Sequence, residues 1–203
     1  MPVNPFIQGK PFFDNCLTGM VEYRFGEDNM MSEHFGAEHL HAPWRMDYIE
    51  QAGTPAAGCI FCEKPRQQCD RDNYILLRGA NAYIILNVFP YNNGHLMVIP
   101  YQHTACMEEL TGAALTEMMQ LAMLAIKALK LAMAPDGFNM GMNIGRTAGA
   151  GIAEHVHLHV VPRWNGDTNF MPVLGNTRVL PESLERTWEK VRAALEQVQA
   201  EES

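Results

Sequence analysis

Residues 154–164 read Glu154-His-Val-His-Leu-His-Val-Val-Pro-Arg-Trp164, with histidines at 155, 157 and 159 and apolar residues at 156, 158 and 160. Strict alternation of this kind predicts a strand over Val156–Pro162, because successive side chains of a strand point to opposite faces. One face then shows three imidazoles, while Val156, Leu158 and Val160 pack into a core. Three neighbouring imidazoles cannot all stay charged at close range, so some are neutral near neutral pH. A neutral imidazole is a metal ligand, a base or a nucleophile. One strand histidine is readily a half-buried polar residue with a satisfied hydrogen bond; three in strict alternation are not. Two chemistries stay open on this run alone: a metal cluster, since imidazoles at i and i+2 can share a zinc ion, and covalent catalysis.

The flanking sequence supplies the rest of a small sheet. Phe138–Ile144 reads as a strand, followed by the loop Gly145-Arg-Thr-Ala-Gly-Ala-Gly151. Tyr74–Arg78 and Ala82–Val88 read as a hairpin around Gly79-Ala-Asn81. Pro90-Tyr-Asn-Asn-Gly94 is a turn cluster. His95–Pro100 follows as a strand, with Leu96, Val98 and Tyr101 set against His95, Met97 and Ile99. Glu108–Ala134 predicts a long helix, with Leu110, Ala114, Leu121, Leu124, Ala128 and Leu131 at helical spacing and Pro135-Asp-Gly137 as its stop. Pro181–Ala200 predicts a second helix, with Leu184, Trp188, Val191, Leu195 and Val198 on one side. The fold class expected is α+β: a five-stranded antiparallel meander with a long helix after the hairpin and a C-terminal helix.

Composition narrows the function. The chain has 203 residues, 47% of them hydrophobic, enough for one domain with extensions. Its net charge of −8 argues against a partner as phosphate-rich as long nucleic acid, though not against a small phosphorylated ligand. The apolar stretch Leu121–Ala134 is interrupted by Lys127 and Lys130, which argues against a membrane span. The start, MPVNPFIQGK, lacks the order of a signal peptide. A cytoplasmic protein without membrane partners is expected, and its five scattered cysteines do not suggest a disulfide framework. Cys59-Ile-Phe-Cys62 has the spacing of two metal ligands on one turn, but by itself it is equally a redox pair or plain packing. Cys16, Cys69 and Cys106 have no partner pattern. His34, His39 and His41 are expected at the surface.

The run His155-Val-His-Leu-His-Val-Val161 resembles the motif of the histidine-triad (HIT) family. Asn87-Val-Phe-Pro-Tyr-Asn-Asn-Gly-His-Leu-Met-Val-Ile-Pro100 is similar to that family's nucleoside-binding hairpin, and Cys59–Cys62 to the metal-binding pair of its zinc-containing branch. The resemblance covers roughly residues 40–170. It implies a HIT domain over 39–170, an extension over 1–38 that wraps the surface or a partner subunit, and a C-terminal segment over 171–203.

By this resemblance His157 is the nucleophile, attacking the α-phosphorus of a nucleotide to form a nucleotidyl-histidine intermediate, and His159 assists the departing phosphate. Asn87 and His95 are implied at the nucleoside; Asn143, Ala150 and Gly151 at the phosphates; and Trp164 in the nucleotide site, unless it is merely packed. A structural zinc held by Cys59, Cys62, His103 and His155 is implied, with no organic cofactor, and so is a homodimer. One departure is plain: Gly151 and Ile152 stand where many members carry Gln and then Ser or Thr, which opens the choice of acceptor. The flanking Glu154, Trp164 and His41-Ala-Pro-Trp-Arg-Met46 look like the bacterial diadenosine tetraphosphate phosphorylase branch, where inorganic phosphate resolves the intermediate to give ATP and ADP. The alternatives are hydrolysis of dinucleoside polyphosphates or nucleoside phosphoramidates, a zinc-dependent hydrolase using all three histidines, and a non-catalytic nucleotide-binding protein.

Overall fold

The computed structural model describes residues 58–168 and 181–202. The expectations for residues 1–38, for the segment from 39 to 57 and for 169–180 lie outside the described residues, and with them those for Cys16, His34, His39 and His41.

Ten elements follow one another among the described residues. A short helix, α1 (Ile60–Arg66), precedes strands β1 (Ile75–Arg78), β2 (Ala82–Leu86) and β3 (Leu96–Pro100). A 3₁₀ turn (Met107–Glu109) leads into α2 (Gly112–Met133), then β4 (Gly137–Gly141), a second 3₁₀ turn (Arg146–Ala148), β5 (Leu158–Arg163) and α3 (Leu184–Glu202). The five strands form one sheet in the order β1-β2-β3-β5-β4, every pair antiparallel. The expected five-stranded antiparallel sheet is therefore present, and its first three strands run as a meander. Beyond them the chain crosses over: α2, roughly 33 Å long at 1.5 Å per residue, precedes β4 at the far edge, and β5 returns into the gap beside β3.

The two long helices begin later than the sequence suggests. Thr111 caps α2, its hydroxyl accepting from the Ala114 N–H at 3.1 Å, so residues 107–109 form a separate 3₁₀ turn instead of its first turn. Ala134 ends the helix in the left-handed region at φ 46°, just before Pro135. Leu131, placed on the apolar stripe by spacing, is exposed. Ser183 stands before α3, its hydroxyl accepting from the Arg186 N–H at 3.3 Å, and Val191, Leu195 and Val198 are buried as expected, with Thr187 and Ala194.

The central strands β2, β3 and β5 are buried on both faces, while β4 is half-buried to exposed. On one face Ile84, Leu86, Leu96, Val98, Val156, Leu158 and Val160 meet Met118, Ala122, Ala125, Ala128 and Leu129 of α2 and Val191 and Leu195 of α3. The small residues on α2 let the helix approach closely. Each fully buried large aliphatic there contributes about 1.5–3 kcal/mol by leaving water. By length and composition alone α2 could cross a membrane, but it packs on β2, β3, β5 and α3 as a core helix does. On the other face Phe61, Ile75, Tyr83, Ile85, Met97 and Ile99 form a second cluster. Tyr101 belongs to this side, packing on that cluster and stacking on Tyr83 at 5.3 Å. It does not share the face of Leu96 and Val98, because period two groups 101 with 97 and 99.

Candidate active site

Regular pairing of β5 begins at Leu158 opposite Val98 and continues with His159 opposite Met97. His155 and His157 therefore precede the strand proper. The alternation still holds: Val156, Leu158 and Val160 join the α2 face, and the imidazoles lie on the opposite face. Phe61 meets the rings of His155 and His157 edge-on, at 5.7 and 5.1 Å. His155, His157 and His159 are only 0%, 5% and 8% exposed, so each polar nitrogen needs a partner.

Those partners divide the run into two ends. At the first, the Nε2–H of His155 donates to the Pro100 carbonyl at 2.9 Å, because a carbonyl can only accept. That leaves the His155 Nδ1 lone pair aimed at Cys59 Sγ (3.3 Å), Cys62 Sγ (3.7 Å) and His103 Nδ1 (3.2 Å). Cys62 Sγ is also 3.4 Å from His103 Nδ1, and all four donor atoms lie within 4.8 Å of one another. Tetrahedral zinc with Zn–S of about 2.3 Å and Zn–N of about 2.0–2.1 Å sets ligand separations of roughly 3.3–3.8 Å. The donor set and its spacing fit such an ion. Burial lowers the affinity of His155 for a proton, and burial and the neighbouring Cys59 raise the Cys62 thiol.

At the other end, the Nδ1–H of His157 donates to the His155 carbonyl at 2.9 Å. The proton is thereby fixed on Nδ1, and Nε2 keeps its lone pair. Burial pushes the His157 pKa below the ordinary 6.5, partly offset by that hydrogen bond. The His159 ring lies 4.7 Å away, nearly perpendicular. Its tautomer follows from a chain of bonds that starts at a backbone amide. The Tyr91 N–H donates to His95 Nδ1 at 2.9 Å, so His95 carries its proton on Nε2 and donates it to His159 Nδ1 at 3.0 Å. A neutral His159 then bears its proton on Nε2. Neutral lone pair and N–H donor stand side by side, the pairing that nucleophilic displacement at phosphorus needs.

The remaining sequence candidates are spread around this pair. His95 is 1% exposed and stands behind His159. Asn87 is beside it, Nδ2 at 3.4 Å from His95 Nδ1, while its Oδ1 accepts from the Phe89 N–H at 2.9 Å. Gly141 pairs with His159, so continuing the antiparallel register sets Asn143 across from His157. Gly145 and Gly149, at φ 81° and 86°, shape the loop that follows, a conformation that a side chain would strain. The loop closes on itself: the Gly149 N–H donates to the Arg146 carbonyl and the Ala150 N–H to that of Gly145. Ala150 is buried and Gly151 half-buried.

Trp164 follows β5 directly, its indole N–H donating to the Met133 carbonyl of α2 at 3.3 Å. A cleft of about 300 Å³ lined by Arg71, Asp72, Tyr74, Glu185 and Trp188 contains none of the candidates.

Sequence reasoning missed Asp167. Its carboxylate accepts from Arg163 in two bonds (2.6 and 2.8 Å), from Asn92 Nδ2 (2.8 Å) and from the Trp164 N–H (3.1 Å). The guanidinium of Arg163 holds the Asp167 carboxyl well below the usual carboxylate range. The turn that leads to His95 is thus tied to the end of β5. An Arg and an Asp four residues apart across a Gly are the available signal.

The HIT domain family matches residues 70–166. The chain is 40% identical over 157 residues to a protein of Mycobacterium tuberculosis named AP-4-A phosphorylase, covering 74% of this chain and 80% of that one. The chain belongs to the HIT family. It is also 31% identical over 110 residues to an adenosine 5'-monophosphoramidase of Saccharomyces cerevisiae, covering 54% of this chain and 65% of the relative. Among solved structures, a Zn-bound histidine triad family protein from Mycobacterium smegmatis superposes with a TM-score of 0.60 at 28% identity, covering 72% of this chain and 99% of that one.

Proposed function

We propose that this protein is a nucleotidyl transferase that cleaves dinucleoside polyphosphates, diadenosine tetraphosphate foremost, by phosphorolysis to ATP and ADP. The observation that carries this reading is the hydrogen bond from His157 Nδ1–H to the His155 carbonyl, which leaves a neutral Nε2 as nucleophile. The 40% identity to a protein named AP-4-A phosphorylase supports the substrate.

In the first step His157 Nε2 bonds to the α-phosphorus. The bond from that phosphorus to its bridging oxygen breaks, and the electron pair leaves with ATP. His159 Nε2–H donates to the departing oxygen and offsets its charge. In the second step an oxygen of inorganic phosphate attacks the same phosphorus, the P–N bond breaks with its electron pair returning to Nε2, and ADP forms. His95 holds the tautomer of His159. Asn87 is assigned to the nucleoside, Asn143, Ala150 and Gly151 to the phosphates, and Trp164 to the nucleotide site. Cys59, Cys62, His103 and His155 would hold zinc, which supplies a structural cross-link between α1, the segment after β3 and the entry to β5. A cytoplasmic setting keeps both thiols reduced for it. His157 and His159 stay outside that cluster, which favours this reading over a hydrolase with all three histidines on metal.

A homodimer fits the surface. The outer edge of β4 has no strand partner among the described residues, and Met140 on that strand and Ile144 just after it are exposed large apolar side chains. An unpaired edge with apolar neighbours is a surface that a second copy would cover.

The test is incubation of the purified protein with diadenosine tetraphosphate, with and without inorganic phosphate. ATP plus ADP, formed only when phosphate is present, is the expected result. AMP plus ATP without phosphate means hydrolysis, and no turnover of any dinucleotide or phosphoramidate ends the enzyme reading.

A further inference from the structure

The residue that joins the two ends of the histidine run is neither a ligand nor a nucleophile. Phe61 lies between Cys59 and Cys62 in α1 and is 5% exposed. Its ring meets His155 edge-on at 5.7 Å with planes at 88°, and His157 at 5.1 Å with planes at 60°. Its backbone is also pinned, the carbonyl accepting from the buried Tyr83 hydroxyl at 2.7 Å. An aromatic ring against an imidazole edge restricts rotation about the imidazole's second side-chain torsion. That torsion decides whether His157 Nδ1 faces the His155 carbonyl and hence where Nε2 lies. The hydrogen bond and the aromatic contact are two supports for one ring orientation, and both run through residues that the four-ligand cluster ties down.

We propose that Phe61 is a positioning residue for His157: carried by the cysteine pair, its ring holds the imidazole in the orientation that presents Nε2. This rests on the reading of His157 as nucleophile. The plainer account of Phe61 is one more apolar side chain in the cluster with Ile75, Tyr83, Ile85, Met97 and Ile99. The two accounts differ in what a near-isosteric aliphatic does there. Leucine keeps most of the packing and loses the ring; displacement of a reacting group by about 1 Å costs on the order of a hundredfold in rate.

The experiment compares Phe61→Leu with Ile75→Val, a change in the same cluster away from the histidines. Both are prepared with their metal, and zinc content, kcat, KM and the ring-nitrogen NMR shifts of His157 are read, the last assigned by difference from His157→Ala and taken without substrate. For Phe61→Leu the expected result is one zinc per chain, kcat lower by about ten- to a hundredfold, KM within about twofold, and nitrogen shifts that average the two tautomers where the native protein shows one. Ile75→Val should keep native kcat and shifts. Native kcat in Phe61→Leu, an unchanged single tautomer, a loss of zinc in step with activity, or an equal loss in Ile75→Val each overturns the assignment. A native protein that turns over no dinucleotide breaks the nucleophile reading instead, and the nitrogen shifts then decide by themselves whether Phe61 fixes the ring.

Discussion

Around His155 the neighbours are two thiols and a second imidazole, all within ligand distance of one another. Around His159 they include the rings of His95, His157 and Tyr91, and the imidazole of His95 that donates to it is itself fixed by the Tyr91 amide. His157 stands between, with its hydrogen bond to the first and its ring against the second. The same residue type at the same spacing is thus set in two different environments, and the difference lies in the second bond each ring makes. Where Nε2 is occupied by a carbonyl, as in His155, Nδ1 is offered to a metal. Where Nδ1 is occupied, as in His157 and His159, Nε2 is the nitrogen to which the proposed chemistry is assigned. The partner of one ring nitrogen chooses the role of the other.

The comparison breaks most sharply by exchange of loss. His157→Ala should abolish turnover, by about four orders of magnitude or more on the scale seen when a covalent nucleophile is removed, while metal analysis still finds zinc. Cys62→Ser should do the reverse at the level of stability: zinc falls, and thermal melting drops by roughly 10 °C, as a loss of about 3–5 kcal/mol would give for a chain of this size. If His157→Ala loses zinc as well, the two ends are one metal site and the division is wrong.

A smaller effect sharpens the second end. His95→Gln removes the imidazole that fixes the proton of His159, and kcat should fall by about a hundredfold, the bottom of the range for general acid catalysis, with zinc content unchanged. An effect on KM alone, seen in steady-state kinetics, would move His95 to nucleoside binding. The smallest effect is in pH. Burial depresses the His157 pKa below 6.5, so its neutral form persists into mild acid. The acid limb of kcat/KM should lie below pH 6.5, and substrate concentrations well under KM read it. Stability carries the same sign: it is full above 6.5, where an unfolded imidazole is neutral, and declines as pH falls toward the depressed folded value.

Much of this is legible in the amino-acid sequence. Alternation at 155–160 predicts which side chains share a face, and they do, because a period of two survives even where pairing with β3 has not begun. The cysteine spacing points to ligands, and the donor atoms converge. What escapes is whatever depends on non-local geometry. The seat of β5 between β3 and β4 follows from the α2 crossover, which no local pattern reveals. α1 is hidden because Pro65 sits inside it and argues locally against a helix. Phe61 carries no polar group to mark it out, and its contact with His157 joins residues far apart in the chain.

Asp167 changes what counts as the unit that can be cut out and still work. The family match ends at residue 166, one position short of the carboxylate that gathers Arg163, Asn92 and the Trp164 amide, and it begins after Cys59 and Cys62. An excised fragment with those borders would retain every strand yet leave behind both the cysteine pair and the Asp167 carboxylate, so the family's shared stretch is shorter than the set of contacts that hold its margins.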